Sequence, residues 1–183
     1  MNPAIHEVHG HYKTVFGVAR AVAGFDLGAF SLDVAVFDDT PCDSASTFAT
    51  GGLSRPIGQE LLFSCYTRQA TDKTTKLLGV IAQQLFEERV GLRRGQVLGP
   101  AGPIEDGARV EAFYVCPPVY YPRALEPFEA GDLHVHFFWL VPIHAAEAEW
   151  INRHDDATIR FEDLLQDQDP DLLDLRRPPL RLA

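Results

Sequence analysis

Residues 71–90 carry the one strong three-to-four-residue apolar repeat in the chain, and that scarcity limits what the rest can fold into. Leu77, Leu78, Ile81, Leu85 and Phe86, with Val80 beside them, recur at helical intervals, while Lys73, Lys76, Gln83, Glu87 and Arg89 take the opposite face. Thr71 or Asp72 can cap the first turn and Gly91 is the expected stop. Elsewhere the period is two or the run is short and proline-limited. Phe30, Leu32, Val34 and Val36 alternate with Ser31, Asp33 and Ala35, and further strands are expected at Ser46–Thr50, Glu60–Tyr66, Val110–Cys116 and Leu133–Val141. Pro117-Pro118 and Pro142 end the last two by removing backbone donors that a ladder needs. A short extended piece falls around Gln96–Leu98, and two more helices are expected at Ala145–His154 and Thr158–Gln166. A doubly wound parallel sheet needs a crossover helix between successive strands. With one strong candidate, the fold class is α+β: a mixed, largely antiparallel β-sheet with packed helices.

Residues 1–29, where Gly10, Gly17, Gly24 and Gly28 interrupt any period, are expected to form an N-terminal extension packed on the domain, with a short helix near Val15–Val22. Residues 30–183 then form one domain, whose tail from Asp167 is ordered only where another surface holds it. A length of 183 residues with 46% apolar content suffices for one self-contained core. The formal charge of −10 makes nucleic acid and anionic membrane surfaces poor partners. Arg89, Arg93 and Arg94 form the densest basic cluster and read as a solvated helix end. No apolar run is long enough to cross a bilayer and no leader pattern opens the chain, so the expected location is cytoplasmic. Cys42, Cys65 and Cys116 lack metal-site spacing, and the last two, in strand-like runs, are expected in the core.

Catalytic chemistry finds little support. On a strand, His134 and His136 share a face, so with Asp132, His144 or Glu147 they could converge on a metal ion; equally, two histidines on an outer strand face simply meet water. Ser54 and Ser64 lack a nucleophile-elbow context, and the glycines at 95, 99, 102 and 107 form no phosphate-binding pattern. Glu147 and Glu149, two apart on a helix, read as solvated carboxylates rather than an acid/base pair. No catalytic, cofactor or metal residue is assigned, and a metal-dependent enzyme built on His134 and His136, or a structural subunit of an assembly, stand as the alternatives to a binding role. Surface recognition reads better. Tyr114, Tyr120, Tyr121, Phe128 and Trp150 lie at proline-rich strand boundaries, where rings offer contact area at low entropic cost. Residues 147–174 hold ten acidic side chains against Arg153 and Arg160, a block complementary to a basic partner. The expected protein-binding residues are Tyr120, Tyr121, Phe128, Glu147, Glu149, Trp150, Asp155 and Asp156, and the expected partner is another protein, such as a basic toxin domain.

Thr50-Gly51-Gly52-Leu53-Ser54 followed by Glu60-Leu61-Leu62 resembles the TxGxS and EL pieces of the suppressor-of-fused domain. Cys116-Pro117-Pro118-Val119-Tyr120 looks like the same family's strand-end proline segment. His136-Phe137-Phe138-Trp139-Leu140-Val141-Pro142-Ile143, with Glu147 and Glu149 beyond it, looks like its closing strand and acidic helix, and Asp171 to Pro178 is similar to the tail of bacterial members. The resemblance runs in order over roughly residues 30 to 180. It implies a sandwich-like mixed α/β domain with no known catalytic residues. In animals such a domain holds a transcription factor of the Hedgehog pathway, and bacterial single-domain relatives are regarded as immunity proteins against polymorphic toxins.

Overall fold

The computed structural model describes residues 3–27, 30–125, 127–130, 132–154 and 156–182. Its elements are α1 (Pro3–Phe16), β1 (Ala21–Leu27), β2 (Phe30–Asp38), β3 (Ala45–Gly51), α2 (Ser54–Ile57), β4 (Gln59–Tyr66), α3 (Asp72–Glu88), β5 (Val97–Leu98), β6 (Ala112–Cys116), β7 (Phe128–Ala130), β8 (Leu133–Ile143), α4 (Ala145–Arg153) and α5 (Ala157–Gln168). The strands lie in the order β1-β2-β3-β4-β8-β6-β5, with β7 against the start of β8. All pairings are antiparallel except β4 with β8, which are separated by some seventy residues of chain. That single parallel seam is what the α+β expectation allows, since one long connection replaces a series of crossovers.

Both faces of the sheet are covered. Val8 and Tyr12 of α1, Ala148 and Ile151 of α4 and Phe161 of α5 bury the face carrying Ala35, Phe37, Tyr114, Trp139 and Val141. Leu78, Ala82 and Leu85 of α3 bury the face carrying Leu32, Val34, Phe48, Phe63 and Leu140. A strand covered twice is apolar at successive positions, which explains the bulky run through β8. Cys65 and Cys116 lie in the two cores, as their strand context predicts.

The N-terminal region differs from expectation. The helix occupies residues 3–16 and the following residues are the edge strand β1, paired with β2 from Ala21 opposite Val36. Ile5, Val8 and Tyr12 form a buried stripe at three- and four-residue spacing that intervening histidines obscure. Gly10 does not break the helix because it faces solvent with nothing near its missing Cβ, whereas Gly17, at φ +87°, lies directly beyond its end.

Thr71 caps α3, accepting from the Lys73 amide at 3.1 Å. The stop is Arg89 in the left-handed region rather than Gly91. Gly91 has a different job: a Cβ there would lie 2.7 Å from the Gln59 amide, which bonds both the amide and the carbonyl of Leu92. Gly79 is where α3 meets β1, and a Cβ added there would overlap the Phe25 ring. Gly79→Ala is therefore expected to destabilise the domain by about 1–2 kcal/mol, the overpacking strain exceeding the gain in helix propensity. Chemical denaturation checks it, and Phe25→Ala in the same background should recover part of the loss; an unchanged or higher midpoint for Gly79→Ala would refute the close packing.

The tail is ordered because the domain itself supplies the surface that holds it. Leu172, Leu173, Leu175, Arg177 and Leu180 are buried, and the Leu173 and Leu175 carbonyls accept from the amides of Tyr66 and Arg109 at 3.1 and 2.8 Å. No helix among the described residues is long and apolar enough to cross a membrane.

Candidate interaction surface

At Cys116 the chain leaves the sheet, because neither Pro117 nor Pro118 can donate to β8. The loop that follows carries two of the large exposed hydrophobic side chains of the described residues, Val119 at 71% and Tyr120 at 44% exposure. A cleft lies on each side of it. One, of about 510 Å³, runs between Tyr120, Trp139 and the Leu165 and Leu172 side chains, with Arg94, Glu162 and Asp169 on its polar wall. The other, of about 480 Å³, lies between Pro118, Leu125 and Pro127 and the His136–Phe138 stretch of β8. Val119 and Pro117 line both, so the loop is an apolar ridge between two grooves.

The ridge is held from beneath. Tyr121 is buried, and its hydroxyl bonds Thr47 Oγ1 at 3.0 Å and Ser64 Oγ, which bond each other at 2.9 Å. Both tyrosines pack on Trp139, Tyr120 at 4.8 Å between centroids and Tyr121 edge-on at 6.2 Å. Adjacent residues thus have opposite fates: Tyr121 anchors the loop, and Tyr120 is presented to solvent.

The other expected contact residues are scattered. Glu147 is fully buried and ion-paired with Arg177, so it is neither the solvated carboxylate nor the surface contact that its helical position suggests. Tyr121 is corrected likewise by its burial. Phe128 is half-buried, stacked on His11 at 4.1 Å, and ties β7 to α1. Trp150 is half-buried between His154, Phe161 and the Arg160 guanidinium. Glu149 and Asp156 are exposed, paired with Arg153 and Arg160 one helical turn on. Asp155 lies outside the described residues. Much of the acidic block is answered within the chain: Glu162 pairs with Arg94, Asp171 accepts from the Tyr66 hydroxyl and Asp174 from Gln69. Arg94 is accordingly committed to α5 rather than simply solvated.

His134 and His136 do share an exposed strand face, their rings parallel at 6.5 Å, and His134 Nε2 lies 3.1 Å from Glu129. The further ligands that a metal reading needs are elsewhere: His144 caps α4 with its Nε2 3.0 Å from the Arg177 carbonyl, and Glu147 is spent on Arg177. Among the described residues no group of three or more His, Cys, Asp or Glu side chains could hold a metal ion.

The Thr50–Ser54 segment acquires a physical role that its letters do not reveal. It wraps the fully buried carboxylate of Glu60, which accepts from Thr50 Oγ1 at 2.6 Å and from the Gly52 and Ser54 amides at 2.9 Å each. Burial pushes this carboxyl up to about 7, against the pull of those donors. Over it lies α1, whose Tyr12 hydroxyl donates to the Thr50 carbonyl at 2.9 Å. His9 bonds Asp33 at 2.8 Å, which raises its pKa against the opposing effect of burial.

A helix-covered, mostly antiparallel sheet with a projecting proline-bounded ridge makes this an α+β domain. The family description "Suppressor of fused protein (SUFU)" matches residues 28–178, and the chain belongs to that family. No curated protein matches it. A putative suppressor-of-fused homologue from Neisseria gonorrhoeae shares 20% identity and a TM-score of 0.81, over 99% of this chain and 98% of that one. A chain of the Sufu–Fu complex aligns at 13% identity and TM-score 0.68 over 89% of this chain and 84% of that one. Drosophila Suppressor of Fused gives 14% and 0.63 over 88% of this chain, which spans 45% of the Drosophila chain.

Proposed function

We propose that this chain is a non-enzymatic protein-binding module acting in the cytoplasm, and that it serves as an immunity protein which neutralises a toxin by direct contact. The observation that carries the binding role is the exposed Val119–Tyr120 ridge between two apolar-lined clefts, mounted on a buried Tyr121 anchor. Large apolar side chains held rigidly in the open lose little entropy on contact, the usual make-up of an interface centre. A protein of the same fold occurs in the Sufu–Fu complex, which supports a role in protein association. The toxin assignment rests on the resemblance to bacterial single-domain members and on the acidic balance of the chain, which suits a basic target.

Affinity capture from the native lysate, followed by co-expression of each captured protein to score growth rescue, tests both levels. Val119→Asp with Tyr120→Ala is expected to reduce capture at least about ten-fold while lowering the unfolding free energy by no more than about 2 kcal/mol, the loss coming from the packing of Tyr120 on Trp139. A toxic partner neutralised by the wild type and not by the double variant establishes the reading. Undiminished capture by the variant removes the ridge from the interface, and captured partners that are harmless when expressed alone remove the immunity role.

A further inference from the structure

The cleft beside Tyr120 has an electrostatic peculiarity. It is floored by Trp139 and walled by Leu165 and Leu172, and α5 ends at its rim. A helix C-terminus carries partial negative charge and is ordinarily met by Lys, Arg or His in the last turn. Here the last turn has no basic residue and reads Leu165-Gln166-Asp167-Gln168, and Asp169 follows as the C-cap in the left-handed conformation. Two carboxylates therefore sit at the negative end of a twelve-residue helix. The neighbouring acids are committed: Glu162 to Arg94 and the Tyr114 hydroxyl, Asp171 to the Tyr66 hydroxyl and the Leu173 amide. Asp169 is exposed, lines the cleft, and its side chain has no hydrogen-bond or ion-pair partner among the described residues. Tyr120 and Asp169 line the same cleft, and the Tyr120 hydroxyl has its pKa raised first by burial and then by the negative charge of Asp169 and Asp171.

Extending the binding role proposed above, we infer that this cleft receives a lysine or arginine side chain of the partner protein, its stem along Val119, Tyr120 and Leu165 and its charge between the Tyr120 ring, Asp169 and the end of α5. The pieces match the two halves of such a side chain. A methylene stem packs on apolar walls while the head stays at a polar rim. An exposed aromatic face attracts the cation, and the helix end and Asp169 supply negative charge at the rim. The neutral Arg94–Glu162 pair closes the far side without offering a free charge of either sign. A net charge of −10 brings a basic partner to this face at an enhanced, salt-sensitive rate.

The test is an NMR titration of the intact, isotope-labelled protein with N-acetyl-arginine amide, using its uncharged citrulline analogue as control. Saturable shifts at the Val119, Tyr120 and Asp169 amides are expected with the arginine probe, with at least about five-fold weaker binding of citrulline. Asp169→Asn and Tyr120→Leu are each expected to weaken the arginine probe roughly two- to five-fold, and added salt should weaken it in the wild type more than in Asp169→Asn. Equal shifts from citrulline, or shifts located elsewhere, overturn the inference. Its failure is distinguishable from failure of the binding role. If partner capture depends on Val119 and Tyr120 but is unmoved by Asp169→Asn, the ridge remains an interface and the cation site falls. If the arginine probe binds the cleft while capture is indifferent to the ridge, the cation site stands without the proposed interface.

Discussion

Arg177→Ala is expected to cost about 3–5 kcal/mol of stability, because it strands a carboxylate in the interior. The Arg177 and Glu147 side chains are 1% and 0% exposed and meet through two parallel contacts of 2.9 and 2.5 Å. Glu147 also accepts from the His144 and Leu180 amides at 2.9 and 2.8 Å, and the guanidinium donates to the Pro142 and Pro178 carbonyls. This one pair thus joins the end of β8, the first turn of α4 and the C-terminal tail. Without Arg177 the carboxylate retains two amide donors and no counter-charge, so it must take up a proton or draw in water, and the tail loses its charged contact. The pair itself contributes less than its removal suggests, since desolvating two ions offsets much of their attraction and Arg177 Nε is buried without a partner among the described residues. Glu147→Leu with Arg177→Met should therefore recover most of what Arg177→Ala loses. Urea denaturation gives the energies, and limited proteolysis should cut the single variant selectively between Gln168 and the C-terminus. A loss below about 1 kcal/mol, or proteolysis spread evenly over the domain, would show that the tail is held by its leucines alone.

That pair also marks the boundary of what was legible in the sequence. Alternation and proline punctuation place β2, β3, β4 and β6, and the period of α3 places the long helix over one face of the sheet, because each signal lies within a dozen consecutive residues. The apolar run places β8, but Pro142 does not end it: the strand continues to Ile143, with Pro142 opposite Phe113 of β6. Glu147 looks like any helical carboxylate until a guanidinium thirty positions away is folded against it, so its burial has no local signature. The tail is similar: its leucines show no period, since they follow the shape of the surface they cover. The beginning of the chain misleads for the opposite reason. Gly10 and Gly24 interrupt the pattern, yet one lies on an exposed helix face and the other in an edge strand, and the cost of each, about 0.5–1 kcal/mol, is outweighed by the burial of Ile5, Val8 and Tyr12 and by the pairing of β1 with β2. Of the candidate interaction surface, Tyr120 is readable from its place after two prolines. Trp139, Leu165 and Asp169 reach it from β8 and the end of α5, an assembly that only the parallel seam and the return of α5 create.

The second large effect concerns Glu60, and its sign follows from burial. Its carboxyl is raised to about 7 in the folded state by desolvation, from an ordinary value of 4.5. Below about pH 4.5 it is protonated both folded and unfolded and contributes no pH dependence. Between there and pH 7 the unfolded chain releases this proton while the folded chain keeps it, so stability falls as pH rises, by about 3 kcal/mol from this group, and levels off above the folded value. His9, raised by Asp33, acts in the same direction: its contribution is present below about pH 6.5 and lost as pH climbs through its folded pKa. Glu162 and Asp174 are lowered and act oppositely, their contributions being lost in acid, so the whole-protein curve mixes both signs. Comparison with Glu60→Gln isolates the group. The substituted carboxamide can still accept from the Gly52 and Ser54 amides but does not ionise, so the variant's stability relative to wild type should improve by about 3 kcal/mol between about pH 4.5 and about pH 7.5 when both are unfolded in urea. Parallel curves would mean that the donors of the Thr50–Ser54 loop hold the carboxylate ionised throughout. Divergence would mean that this loop, although it offers Glu60 three donors, does not fully offset the loss of water, so that the folded domain holds a proton on Glu60 up to near neutrality.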